Sequence, residues 1–374
     1  MTGQHNRSTW LATFVVRALL LVACLYGLSA IAHRLGQTTP EAVAGNGLRV
    51  VLFINGTLGD KSFFDAAARG LQQAAGSLPL RTRVVEGGID PTRWQAALAD
   101  LADSGEHDII VAGTFTMVPA IEDLAARYPA LRFIVFDAQV DYAYGAYPNV
   151  YSMRFRQNEG AYLAGYLAAR LVRTGLPGVG PNAGLGVIGG MQLPVIDDFA
   201  TGFKAGARAA VADIALQLQY ANAFSDPAAG KEIARLQFAR GAGLVFHAAG
   251  ATGQGVNEAA EEAGRYAIGV DMDQAALYRA QHPARAAAIV TSVIKDVDVG
   301  LVRALRLTLA GTLPYGRVES LGLAEGGVRL APYAPVVQRL APTLVAELER
   351  ERAAIVAGRV QVPSAFVAGR VDAP

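Results

Sequence analysis

Four places in the sequence combine carboxylates, an ammonium group or aromatic rings with the end of a predicted strand or the start of the next helix. In an open α/β sheet, ligands bind just outside the carboxyl ends of the strands. A carboxylate beside aromatic rings suits a polar ligand with a flat apolar face, and an aspartate with a lysine can hydrogen-bond to vicinal hydroxyls. We therefore predict a binding site formed by Asp60, Ser62, Phe63 and Phe64, by Asp137, by Phe224, and by Asp271 with Lys295.

Each of these places also has a purely structural interpretation. Asp60 could cap the helix that is predicted to follow it, because aspartate satisfies the free N–H groups of a helix start, and a phenylalanine beside it could be buried in the core. Asp137 could cap a turn, Phe224 could pack within its own loop, and Asp271 could form an ion pair with Lys295. The residue types alone leave both interpretations open.

Two glycine-containing segments resemble nucleotide-binding motifs only superficially. In Gly56–Ser62, a phosphate-binding loop would need glycines at Asn55 and Asp60. The glycines of Gly184–Gly189 lie within a predicted strand, whereas those of a dinucleotide site follow the strand, so we interpret them as sites of close packing. The histidines show no metal-ligand spacing and no nucleophile motif is present. The sequence thus predicts no cofactor, no metal site and no catalytic residue.

The elements that must position the site alternate short β-type runs with amphipathic helical stretches from Leu48 onwards. This alternation predicts parallel sheets covered by helices on both faces, and 374 residues are enough for two domains. We predict an architecture of the α/β class, with two Rossmann-like lobes joined by a three-segment hinge and a ligand cleft between them. We expect crossings near 155, 270 and 318, so that 48–155 plus 271–318 form lobe 1 and 156–270 plus 319–374 form lobe 2.

The charge balance argues against a nucleic-acid partner. Lysine and arginine (33) nearly equal aspartate and glutamate (32), so the chain has no excess positive charge with which to bind phosphate backbones.

The first 32 residues have the form of an export signal or an N-terminal anchor. Arg7 and Arg17 precede an apolar run, and Ala30–Ala32 fits the small-x-small pattern of signal cleavage. Cleavage there would leave residues 33–47 as a linker before the folded body.

Two alternatives for this N-terminus remain open. Leu21–Cys24 matches the bacterial lipobox, which predicts lipidation at Cys24. The segment could also be an uncleaved anchor, although its apolar run is shorter than the roughly 20 residues of a spanning helix. All three interpretations place the body in the periplasm or on the outer face of the cytoplasmic membrane, and they leave membrane association through the N-terminus open.

A series of short motifs follows in order along residues 48–365. They are Gly59–Phe63, Phe136–Asp137, Glu159–Ala168, Gly189–Ile196, Phe199–Gly206, Ala248–Gly255, Ile268–Gln274, Thr291–Lys295 and Ile355–Pro363. Together they resemble the basic membrane lipoprotein family, the substrate-binding proteins of ABC transporters that include purine nucleoside receptors.

The resemblance implies a type I periplasmic binding protein, whose two lobes close on the ligand, and it implies a role for each predicted site residue. Aromatic rings would sandwich a base, with Phe63 and Phe64 on the first-lobe wall beside Asp60 and Ser62, and Phe224 on the second lobe. Asp137 would contact the base edge, Asp271 and Lys295 would hold the ribose, and Gly250 of the motif Ala248–Gly255 belongs to the same ligand-binding set. The chain departs from the family at Phe64, where the family usually has asparagine.

The leading hypothesis is a non-catalytic receptor that passes a nucleoside, with purine nucleosides favoured, or a similar small polar aromatic solute to an ABC transporter permease. A membrane-anchored sensor is one alternative. A nucleoside-processing enzyme with Asp60 or Asp137 as base is another, but the sequence lacks the aspartate-rich metal motif expected of such hydrolases.

Overall fold

The computed structural model describes residues 47–340 and 342–366. The predictions for the export signal, the lipobox at Cys24 and residues 33–46 of the linker lie outside these residues. None of the helices within the described ranges is long and apolar enough to cross a membrane.

Two six-stranded sheets organise the chain. The first has the order β11-β5-β4-β3-β1-β2 and the second the order β12-β10-β9-β8-β6-β7. All pairs are parallel except β12 with β10. The strands are β1 Leu48–Ile54, β2 Leu80–Glu86, β3 Ile109–Gly113, β4 Arg132–Phe136, β5 Val150–Phe155, β6 Gly184–Gly189, β7 Leu216–Tyr220, β8 Ala242–Ala248, β9 Tyr266–Asp271, β10 Ile289–Lys295, β11 Arg317–Leu321 and β12 Val328–Leu330.

Helices cover both sheets. In chain order they are α1 Phe63–Ser77, α2 Trp94–Asp103, α3 Val118–Arg127, α4 Gln157–Thr174, α5 Pro194–Ala210, α6 Pro227–Ala239, α7 Thr252–Ala263, α8 Gln274–Tyr278, α9 Pro283–Ala288, α10 Val297–Leu309, α11 Pro335–Leu340 and α12 Pro342–Val356. The central strands β3 and β10 are buried along their whole length. Burial on both faces explains why such strands are nearly continuous apolar runs without alternation.

The chain crosses between the two sheets three times within the described residues. The first crossing is at Arg156, between β5 and α4. The second is at Asp296, between β10 and α10, where α10 packs on α1 of the first sheet. The third is at residues 322–327, between β11 and β12. We call the elements on the first sheet, with α10, the first lobe and those on the second sheet the second lobe.

The lobe boundaries predicted at 270 and 318 are wrong. Strand β10 lies in the range assigned to lobe 1 but pairs with β9 in the second sheet, so residues 271–295 belong to the second lobe. Strand β11 pairs with β5 along its whole length up to Leu321, which moves the third crossing beyond 318. An apolar run indicates that a strand is buried, but it does not indicate which of two similar sheets the strand joins.

Helices α4 and α5 lie unusually close together, because glycines face backbone at their contact. A Cβ atom on Gly206 would lie 1.8 Å from the carbonyl oxygen of Tyr162, and one on Gly165 would lie 2.0 Å from that of Phe203. This close packing fixes the positions of the two helices relative to each other.

Candidate ligand-binding site

Strained backbone marks the carboxyl ends of four strands. Thr114, Asp137, Asn222 and Asp271 follow or end β3, β4, β7 and β9, and all have positive φ angles, of 71°, 59°, 57° and 63°. Residues other than glycine rarely adopt this conformation, and it clusters where function requires it. Strained residues therefore lie at strand ends of both sheets, where the site is predicted.

Lys295 and Asp137 join the two lobes directly. The ammonium of Lys295 donates to both carboxylate oxygens of Asp137 at 2.9 and 2.8 Å, and the two side chains are only 3% and 10% exposed. Because the ion pair has so little contact with solvent, its stability depends on the attraction between the two charges and on good hydrogen-bond geometry. The lysine at the end of β10 thus pairs with the first sheet, and not with Asp271 of the neighbouring strand.

Three aromatic rings surround the same ammonium. The Nζ atom of Lys295 lies 5.3, 5.7 and 5.2 Å from the ring centroids of Phe63, Phe155 and Phe199. Rings at this distance attract a cation through their electron-rich faces. Phe63 also packs on Phe136, with 5.4 Å between ring centroids and the rings tilted by 37°, so an apolar aromatic surface lies next to the ion pair.

Asp271 makes the second direct contact between the lobes, because the hydroxyl of Ser62 donates to its Oδ2. Burial raises the pKa of Asp271 to about 6, against the opposing positive charge of Lys295 and the hydrogen bond from Ser62. Because burial makes this carboxylate costly to ionise, each additional hydrogen-bond donor, such as a ligand hydroxyl, would stabilise its charged form.

Asp60 acts as a helix cap. Its Oδ1 accepts from the backbone N–H of Ser62 at 2.9 Å and of Asp65 at 3.2 Å, and its Oδ2 accepts from that of Phe64 at 2.9 Å. Burial raises the pKa of the Asp60 carboxyl, and these backbone hydrogen bonds oppose the rise. The structural interpretation therefore applies to this side chain.

Two further contacts cross the cleft near Asp60. Gln254 of α7 donates to the carbonyl oxygen of Asp60 at 3.3 Å, and the ammonium of Lys61 lies 5.1 Å from the ring centroid of Tyr278. The loop between β1 and α1 thus contacts the second lobe directly.

Phe224 and Gly250 lie together on the second lobe. Phe224 is 36% exposed, and a Cβ atom on Gly190 would lie 2.3 Å from its ring. Gly250 has a φ of 55°, and a side chain there would crowd the Phe224 carbonyl oxygen at 3.2 Å. The absence of a side chain at Gly190 therefore leaves room for the Phe224 ring, and that at Gly250 leaves room for its backbone.

Phe64 lies against the loop that precedes it. A Cβ atom on Gly56 would be 2.6 Å from its ring, and its centroid is 5.4 Å from that of Phe63. The two phenylalanines thus form an edge-to-face pair next to the loop that carries Asp60.

Sequence reasoning missed a polar group at the ends of β1 and β3. The amide of Asn55 donates to the hydroxyls of Thr114 and Thr116 at 2.9 and 3.0 Å, and its Oδ1 is buried without a hydrogen-bond partner among the described residues. Asn55 directly follows a buried apolar strand, and this position was the available signal.

The site therefore brings rings, carboxylates and the ammonium of Lys295 together where the lobes meet, and Lys295 and Asp137 have little contact with solvent there. Within the ranges that the structure covers, no group of three or more His, Cys, Asp or Glu side chains is placed to hold a metal ion.

A family model described as ABC transporter substrate-binding protein PnrA-like matches residues 48–365. The chain belongs to this family. The match spans both sheets and all three crossings, and it confirms the resemblance in the sequence motifs.

Named relatives agree with the family match. Basic membrane protein A of Borreliella burgdorferi is 32% identical over 288 residues, which cover 75% of this chain and 78% of the relative. The ABC transporter nucleoside-binding protein BmpA of Lactococcus lactis is 29% identical over 364 residues, covering 93% and 97%. The crystal structure of an ABC transporter solute-binding protein from Aeropyrum pernix has a TM-score of 0.74 at 27% identity, covering 84% and 93%.

These similarities confirm the predicted type I periplasmic binding fold. The protein is a substrate-binding protein of an ABC transporter, and such proteins act outside the cytoplasm.

Proposed function

We propose that the protein captures a nucleoside, with purine nucleosides favoured, between its lobes and delivers it unchanged to a membrane permease. The observation that carries this proposal is the meeting of Lys295 with Asp137 and of Ser62 with Asp271 across the cleft. Lys295 and Asp137 are 158 positions apart in the sequence, and Ser62 and Asp271 are 209 positions apart. The similarity to the nucleoside-binding protein BmpA of Lactococcus lactis supports a nucleoside as the ligand.

The aromatic residues suit the base of such a ligand. Phe63 lies on the first lobe and Phe224 on the second, so lobe closure would place a ring on each face of a flat heterocycle. Stacking of a base on an aromatic ring contributes about 1–3 kcal/mol. Phe64 and Gly250 complete the proposed walls, and we propose that Asp60 contributes through the loop it caps, since its carboxylate oxygens already accept backbone hydrogen bonds.

The charged residues suit the sugar and the base edge. We propose that Asp271 and Lys295 bind the ribose hydroxyls and that Asp137 contacts the base edge. When a ligand enters, hydroxyls that donate to Asp271 and accept from Lys295 replace the direct contacts between the lobes. A deoxy analogue would leave buried polar groups unpaired, which costs far more affinity than a lost apolar contact.

Isothermal titration calorimetry with a panel of purine and pyrimidine nucleosides tests the proposal. We expect one nucleoside to bind per chain, with weaker binding of the 2′- and 3′-deoxy forms. The variant Lys295→Met should lose most of the affinity, whereas Tyr144→Ala, which removes a fully exposed ring elsewhere, should retain it. Absence of heat with every nucleoside would refute the proposal.

Chromatography of nucleoside after prolonged incubation with the protein tests whether the ligand stays unchanged. We expect the nucleoside to be recovered intact. Release of free base would instead favour the enzymatic alternative.

We also propose that residues 1–32 direct export and that cleavage follows Ala32. Intact-mass measurement of the exported protein distinguishes a chain that starts at His33 from one that is lipidated at Cys24 or retains its anchor.

A further inference from the structure

The segment Val362–Phe366, which we call the C-terminal strap, lies against the N-terminal parts of α4 and α5. The amide of Asn158 in α4 donates to the carbonyl oxygens of Val362 and Pro363 at 3.2 and 3.1 Å. The strap is thereby attached to the helix that begins immediately after the first crossing.

A buried carboxylate forms the second attachment. Oδ1 of Asp198, near the start of α5, accepts from the hydroxyl of Ser364 at 2.6 Å and from the backbone N–H of Ala365 at 2.9 Å. Its Oδ2 accepts from Gln157 at 2.7 Å, and the residue is only 1% exposed. Because a buried carboxylate is stable only with its hydrogen bonds made, the strap supplies donors that Asp198 requires.

The end of the strap contacts the other lobe. The guanidinium of Arg154, on β5 of the first sheet, lies 4.2 Å from the ring centroid of Phe366. The same guanidinium donates to Oε1 of Gln139 at 3.1 Å, and Gln139 is two residues beyond Asp137. The strap therefore extends from the second lobe to the part of the first lobe that carries the ion pair with Lys295.

We infer that the C-terminal strap is a non-covalent latch that favours the closed arrangement of the lobes. The three crossings are covalent and persist in every arrangement, but the contact between Phe366 and Arg154 can form and break. It links Asp198, whose neighbour Phe199 packs beside Lys295, to the turn after β4. Release of the strap thus removes a lobe-to-lobe contact without altering any residue proposed to bind ligand.

The test measures the distance between the lobes in the absence of added nucleoside. Spin labels are placed at Ile89 on the first lobe and Leu236 on the second, both exposed, in the full chain with Cys24→Ser. Pulsed electron–electron double resonance then gives the distribution of distances between the two labels. In Phe366→Ala we expect the population with longer distances to rise about two- to fivefold, the effect of losing one cation–π contact.

Two further variants separate a latch from general damage. Phe366→Trp retains a ring that attracts cations and should restore the distribution of the parent protein, while Tyr144→Ala removes an exposed ring elsewhere and should not change it. Thermal unfolding followed by circular dichroism shows that each variant is folded. An unchanged distribution in folded Phe366→Ala would overturn the inference whether or not the protein binds nucleosides, and so would an equal shift in Phe366→Trp.

Discussion

At the scale of single residues, the site consists of side chains that satisfy one another across the cleft. Lys295 pairs with Asp137, and Ser62 pairs with Asp271. Each pair combines one residue from each lobe, so a change to one partner leaves the other without its contact in the closed arrangement.

Asp137→Asn tests the ion pair. The variant leaves the ammonium of Lys295 facing a neutral amide at a site with little solvent contact. We expect the free energy of unfolding, measured in urea, to fall by about 1–3 kcal/mol, less than for a rigidly buried pair because lobe opening can rehydrate the lysine. The double variant Asp137→Asn with Lys295→Met should recover part of this loss. A double variant that is less stable than Asp137→Asn alone would contradict the account.

Phe64→Asn tests the departure from the family. The substitution replaces an apolar ring by an amide that can both donate and accept hydrogen bonds. We expect the ratio of the affinities for the best and second-best purine nucleosides to change about tenfold, because one good hydrogen bond in a desolvated site has this effect. Calorimetry with the same panel measures it, and Phe64→Leu is the apolar control. Identical ligand preferences in Phe64→Asn and the parent would show that this position does not determine specificity.

At the scale of elements, glycines let the backbones of α4 and α5 pack closely against each other. Gly206→Ala would place a methyl group 1.8 Å from a backbone oxygen of α4, so one helix must move. We expect a loss of about 2–4 kcal/mol in the free energy of unfolding. Gly76→Ala in α1 is the matched control, because a methyl group there meets no atom within 4 Å and improves helix propensity. Equal stability of Gly206→Ala and the parent would contradict the close packing.

Strand β8 carries a buried histidine that should make stability depend on pH. Burial lowers the pKa of His247 to about 4, and the hydrogen bonds that the ring makes to Asn257 and Gln274 oppose the shift. Since the histidine of the unfolded chain binds a proton near its ordinary pKa of 6.5, stability is lost as the pH falls from 6.5 towards 4. The loss attributable to His247 should reach about 3 kcal/mol.

The comparison with His247→Gln isolates this effect. The raised pKa of Asp271 acts in the opposite direction, because its contribution is present at low pH and is lost as the pH rises through about 6. Both proteins retain Asp271, so the difference between their unfolding free energies reports on the histidine alone. We expect His247→Gln to become more stable relative to the parent protein as the pH falls from 7 to 4. A difference that does not change with pH would contradict the assignment.

The sequence predicted the elements well and their partners poorly. The apolar runs and helix periodicities predicted two parallel sheets, and the positions at strand ends predicted most of the groups that meet at the cleft. The pairing of Lys295 with Asp137 could not be predicted, because the partners are 158 residues apart and depend on which sheet β10 joins. The capping role of Asp60 was one of two open interpretations, since the same residue type serves both purposes.

At the scale of the whole molecule, the account requires that two lobes enclose a ligand by exchanging contacts with each other for contacts with the solute. The crossings and the strap set how the lobes approach, and the strand ends set what they recognise. Specificity then depends on donors and acceptors that are paired in both the closed protein and the complex.

Native mass spectrometry of the purified protein, mixed with purine and pyrimidine nucleosides of different masses, tests the central claim most directly. We expect one nucleoside bound per chain, a purine nucleoside as the dominant species, and loss of this complex in Lys295→Met while Tyr144→Ala retains it. No complex with any nucleoside, or a complex that Lys295→Met retains in full, would contradict the account.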